Sequence, residues 1–119
     1  MTRKELTEAY KNQKFRMGLF LVRNTANGKI FIESSVNLDK IWNRHRTELE
    51  IGSHRNTELQ KDWKTYGEAS FVFEVLAEID TENMDNNQIN KELKLLEQLY
   101  LEELQPFEPM GYNKKPKEQ

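Results

Sequence analysis

The chain has no cysteine among its 119 residues, which excludes disulfides and thiolate metal sites alike. It has no N-terminal apolar segment of the kind that directs secretion, and no apolar run long enough to cross a bilayer. The expectation is a cytoplasmic protein with no membrane partner. Internal repeats and low-complexity tracts are lacking too. A length of 119 residues suits one domain around one core.

Charge is present in quantity, at 32% of residues, and it is uneven. Residues 1–66 hold 13 Lys/Arg against 8 Asp/Glu, whereas residues 67–119 hold 5 against 12. The overall acidic balance speaks against a histone-like binder and leaves room for a local basic face. Plain solubilising charge is the competing explanation.

The apolar pattern organises the chain. Met17–Val22 and Lys29–Ile32 have strand composition and flank Asn27-Gly28, a turn signal in which both residues tolerate positive φ. They predict a β-hairpin. Leu38, Ile41, Trp42, His45 and Leu49 then recur at helical spacing behind Asn37, which is placed to cap the helix, and Gly52 stops it. Asn56 caps a second helix with Leu59, Trp63 and Tyr66 on one face, ending at Gly67. Residues 70–79 predict a third strand, residues 81–88 a polar loop, and residues 89–104 a last helix with Ile89, Leu93, Leu96, Tyr100 and Leu104 as its stripe. Residues 1–15 predict a thin accessory helix, 16–113 the core, and 114–119 a loose basic tail. The fold class expected is α+β, a three-stranded sheet packed with helices in the order (α)ββααβα. The pairing of the third strand is left open.

Several side chains carry chemistry, each beside a plainer reading. His45 lies on the apolar stripe of its helix and reads as a partly buried histidine with a backbone partner, or as a catalytic group. His54 lies in the inter-helix segment and reads as exposed. Glu97 flanks the last helix's stripe; most such glutamates turn outward, and a minority are metal ligands or bases. Arg44, Arg46, Arg55, Lys61 and Lys64 suit a phosphate-binding surface, but Glu48, Glu50, Glu58 and Asp62 interleave with them and suit a solvated, salt-bridged one.

Taken together, the segments GLF, IFI–ESSVNLDKIWNRH, GSHRNTELQKDWKTYGEASFVFEVL, EQLY and GYN resemble the GIY-YIG nuclease domain, in order and spacing, over residues 17–113. The resemblance implies three antiparallel strands with packed helices, and metal-assisted phosphodiester cleavage. In that family a tyrosine on the first strand deals with the nucleophile and a second-strand tyrosine supports it. A helix arginine stabilises phosphate charge, a helix glutamate holds one divalent metal, and an asparagine near the end orders the site. Carried over, the two tyrosines fall on Phe20 and Phe31, the glycine that follows on Glu33, and the arginine on Ile41. Trp42, His45, His54, Glu97, Tyr112 and Asn113 remain. The resemblance thus implies His45 and Asn113 as remaining catalytic positions and Glu97 as a site for Mg²⁺ or Mn²⁺, with no nucleotide cofactor. It implies DNA or RNA as partner, met by Arg44, Arg46, His54, Arg55, Lys61 and Lys64.

A lost general base costs about 10² to 10⁴ in rate, and a lost charge-stabilising donor roughly 10² to 10³. The expectation is an impaired catalyst acting as a nucleic-acid-binding or regulatory module. The alternatives are a weakly active metal-dependent endonuclease with an altered site, and a domain that binds a protein partner.

Overall fold

The computed structural model describes residues 15–115; the expected N-terminal helix and residues 116–119 of the tail lie outside them. The hairpin forms as the sequence predicts. Strand β1 runs Met17–Asn24 and β2 runs Ile30–Ser35, antiparallel, with Phe20 opposite Glu33 and Val22 opposite Phe31. Its turn differs from the expectation in one respect. Only Gly28 uses the left-handed region, at φ 79°. Asn27 instead accepts from Lys29 N through its side chain, at 2.9 Å, a local bond that fixes the turn without positive φ.

Strand β3 (Phe71–Ile79) pairs antiparallel with the other edge of β1, giving the order β2-β1-β3. That settles the pairing the sequence leaves open. β1 is therefore central, and Leu19, Phe20, Leu21 and Val22 are all buried. Alternate residues of a strand face opposite sides. Phe20, Val22 and Phe31 join Leu38, Leu49, Leu59, Trp63 and Tyr112 in one cluster, beneath helices α1 (Leu38–Ile51) and α2 (Thr57–Tyr66). Helix α3 (Asn86–Leu104) packs on β1 and β2, with Ile89 and Leu93 buried. Each fully buried large apolar side chain contributes about 1.5–3 kcal/mol. The architecture is α+β in the order ββααβα, as expected for the described residues.

The helix ends follow local chemistry. Asn56 caps α2 by accepting from Leu59 N at 3.0 Å, and Gly52 ends α1 at φ 80°. Asn37, expected to cap α1 with its side chain, does not: its Oδ1 is buried without a partner. Its backbone N–H donates to Ser35 Oγ at 3.0 Å. The polar segment expected as a loop over 81–88 already contains the start of α3, because Asp85 and Gln88 form a reciprocal capping box. Tyr66 and Leu104, assigned to core stripes, sit at helix ends and are exposed.

Gly18 opens the first motif for a steric reason. A Cβ there would lie 2.0 Å from the carbonyl oxygen of Ala77, because β3 crosses it at backbone distance. Gly18→Ala should lower stability by about 1–3 kcal/mol, the range for overpacking, read as a lower urea midpoint. If the glycine served only chain flexibility, alanine would raise the midpoint instead.

Candidate active site

Four side chains form a chain of contacts at the C-terminal end of β2. Asn56 N–H donates to His54 Nδ1 at 3.1 Å, so that nitrogen is bare and the His54 proton resides on Nε2. His54 Nε2 lies 2.7 Å from His45 Nδ1 and donates to it. His45 is then left with its proton on Nε2, 3.1 Å from Glu33 Oε1. The other Glu33 oxygen, Oε2, pairs with Arg55 Nη2. Every polar atom in the series has a partner with both imidazoles neutral, and the direction of each bond follows from the Asn56 amide.

The surroundings favour that state. Both histidines are buried. Burial lowers the pKa of each from its ordinary value, and for His54 the neighbouring His45 adds to the effect. Phe20 and Phe31 form the apolar shelf: Phe20 lies 5.5 Å from the His45 ring, and Phe31 meets both imidazoles edge-on at 5.9 and 6.3 Å. Gln60 holds the inter-helix segment in place by accepting from His54 N and donating to Leu49 O, at 3.1 and 2.9 Å. His54 is thus not the exposed loop residue expected. Two helices and the following N-cap enclose it. His45 finds side-chain partners rather than a backbone one.

Beside this series lies a cleft of about 690 Å³ between α1, the end of β2 and α3. It gathers Glu33, Ile41, Arg44, His45, Arg55 and Glu97, positions singled out from the sequence, and adds Lys94. Arg44 also pairs with Glu48 at 3.3 Å. Ile41 presents an apolar side chain to the same cleft, while Arg44 and Arg55 supply guanidinium groups from other positions. Lys94 carries no sequence signal of its own; it enters because it sits one helical turn before Gln98 on the α3 face that walls the cleft. Arg46 pairs with Glu68 at 3.5 Å. Arg46, Lys61, Lys64, His54 and Asn113 are not part of the cleft wall.

Asn113 acts from behind the site. Its side chain accepts from Ile32 N and donates to Ile32 O, both at 2.9 Å. It thereby stands in for a neighbouring strand along the open edge of β2 and fixes the backbone between Phe31 and Glu33. Tyr112 is remote from the cleft. Its hydroxyl donates to Asp62 Oδ2 at 2.6 Å and accepts from Asn24 Nδ2 at 3.1 Å, and burial pushes its pKa well above the usual phenol value. Among the described residues no tyrosine lines the cleft.

Among the described residues no group of three His, Cys, Asp or Glu side chains is placed to hold a metal ion. Glu97 reaches the cleft as a carboxylate that no ion pair among the described residues engages. That donor set fits a hydrated Mg²⁺ or Mn²⁺ taking its remaining ligands from water and phosphate, and does not fit an ion caged by protein.

The three-stranded sheet in the order β2-β1-β3, the helix pair over one face and the long helix carrying Glu97 over the other form an α+β domain of the GIY-YIG nuclease type. Its structure matches the catalytic domain of intron endonuclease I-TevI with a TM-score of 0.70 and 28% identity, covering 84% of this chain and 99% of that domain. A mutant of the same catalytic domain matches equally, at 0.70 and 27% identity over 83% and 93%. In sequence, 67 residues, or 56% of this chain, are 33% identical to intron-associated endonuclease 1 of Enterobacteria phage T4. The match spans 27% of that protein's length. No family model matches the chain. Among the described residues, no helix is long and apolar enough to cross a membrane.

The histidine pair predicts an acid-sensitive fold. Both folded pKa values lie below the ordinary imidazole value of 6.5, so the unfolded chain takes up protons first as pH falls. The pair's contribution is complete above that value and is lost as the pH drops toward the depressed folded ones. Urea unfolding should give a lower midpoint at pH 5 than at pH 7.5, and the His45→Phe/His54→Leu variant should show a flatter dependence. An equal drop in both proteins would assign the acid sensitivity to other groups.

Proposed function

We propose that this domain binds nucleic acid through the cleft beside β2 and cleaves phosphodiesters weakly or not at all by the tyrosine route. One observation carries the reading: Arg44, Arg55 and Lys94 line the same cleft as Glu97, while the rings at both tyrosine positions, Phe20 and Phe31, are buried in the core and carry no hydroxyl. The relatives are endonucleases by name, which supports a phosphodiester ligand. Guanidinium and ammonium groups position a phosphate backbone without reading sequence. Glu33, Glu48 and Glu97 share the cleft with the three cations, so affinity should fall in the non-specific range, with Kd about 10⁻⁴ to 10⁻⁶ M at physiological salt.

The residues present divide the work as follows. Arg44 and Lys94 meet phosphate oxygens, and Asn113 keeps the β2 backbone in register with them. His45, buried and neutral, donates its one N–H to Glu33 at the cleft wall. When bound, Mg²⁺ or Mn²⁺ at Glu97 supplies a Lewis acid for a phosphate oxygen. Glu97, exposed to the cleft and unpaired, favours a second reading in which slow metal-dependent cleavage persists. A domain that binds only a protein partner is the remaining alternative.

Fluorescence anisotropy with a labelled oligonucleotide duplex separates these readings. Two or three phosphate contacts give a slope of log Kobs against log salt of about −2 to −3, and Arg44→Ala should reduce its magnitude by about one. Absence of binding at low salt, or binding indifferent to salt, would contradict the proposal. Supercoiled plasmid incubated with Mn²⁺ should give the same trace with the wild-type protein and with Glu97→Ala. Nicking by the wild-type protein alone would favour the second reading.

A further inference from the structure

Glu33 occupies the position of the motif glycine, and its carboxylate is held at both oxygens. His45 Nε2 lies 3.1 Å from Oε1, and the Arg55 guanidinium pairs with Oε2. The His45 side chain is 5% exposed and its second nitrogen is committed to His54, so Nε2–H is a fixed donor with one direction to point. Arg55 approaches from the cleft side and is 71% exposed. A neutral N–H donor and a guanidinium converging on two oxygens of one anion are a set of contacts that a phosphate group uses equally well.

We infer that His45 Nε2–H and Arg55 form an oxyanion site for a phosphate group, and that Glu33 fills this site from within the chain. The inference rests on the reading of the cleft as a phosphate-binding surface and deepens it: the site is self-occupied. The backbone of Glu33 cannot withdraw, because Phe20 pairs with it on one side and Asn113 clamps the preceding residue on the other. The side chain can leave, since it is 20% exposed and the cleft lies open beside it. A tethered carboxylate competes at an effective concentration in the millimolar range or above. A phosphate must therefore displace it or bind next to a like charge, and either requirement weakens binding.

Inorganic phosphate is the probe for the site, and a labelled oligonucleotide is the probe for the function. By NMR titration, Glu33→Ala should bind inorganic phosphate at least about tenfold more tightly than the wild-type protein, a change of about one decade in the equilibrium constant. The His45 Nε2–H and Arg55 side-chain resonances should move. Adding Arg55→Ala to Glu33→Ala should abolish the gain. Glu33→Gln, which keeps the side-chain volume and the strand intact, should show a smaller gain in the same direction. No gain in either single variant, or a gain that survives loss of Arg55, overturns the inference. If the variants gain phosphate affinity while no form binds the oligonucleotide, the nucleic-acid reading fails and the self-occupied site stands. If the oligonucleotide binds and phosphate affinity is unchanged, the reverse holds.

Discussion

Asn56 ties three parts of the molecule together. Its Oδ1 caps α2 through Leu59 N, its Nδ2 donates to Tyr112 O at 2.8 Å, and its backbone N–H donates to His54 Nδ1. The third bond decides the proton positions of everything beyond it. Because the amide can only donate, His54 must accept at Nδ1 and give its proton to His45, and His45 must give its own to Glu33. An N-cap that looks local thus sets the polarity of a series ending in the cleft.

The two phenylalanines acquire a positive role in this setting. A hydroxyl at Phe20 or Phe31 would introduce a polar group beside rings that pack at 5.5 to 6.3 Å. Without it, the imidazoles sit in an apolar surround that keeps them neutral. The same apolar environment holds a fixed N–H donor at His45. Ile41 extends the trend, since its apolar side chain meets the cleft while the guanidinium groups come from Arg44 and Arg55. The scaffold is retained, and the polar groups on it are redistributed.

Much of this fold could be read from the sequence because it is dictated locally. The Asn27-Gly28 turn, the period-3.6 stripes and the stops at Gly52 and Gly67 each rest on a few adjacent residues. The pairing of β3 with β1 could not be read, since Phe71–Ile79 offers apolar residues on both faces and nothing that selects an edge. The site divides in the same way. His45, Glu97 and Asn113 stand at motif positions, and Glu33 puts a carboxylate in a glycine's position. The joining of Glu33 to Arg55 is a contact across 22 positions that no spacing announces. The burial of His54 is not legible in its own segment, because its neighbours Gln60 and Phe31 lie on different elements. Asn37 stands at the N-cap position yet makes no side-chain cap bond, a departure that a residue-type preference does not reveal.

A directed series of neutral hydrogen bonds runs from the Asn56 amide to Glu33. Long-range ¹⁵N–¹H NMR correlation of the imidazole nitrogens at neutral pH tests it most directly. The expected result is two neutral rings, both protonated at Nε2, with Nδ1 bare in each. A proton on Nδ1 of either ring, or an imidazolium at neutral pH, would contradict it.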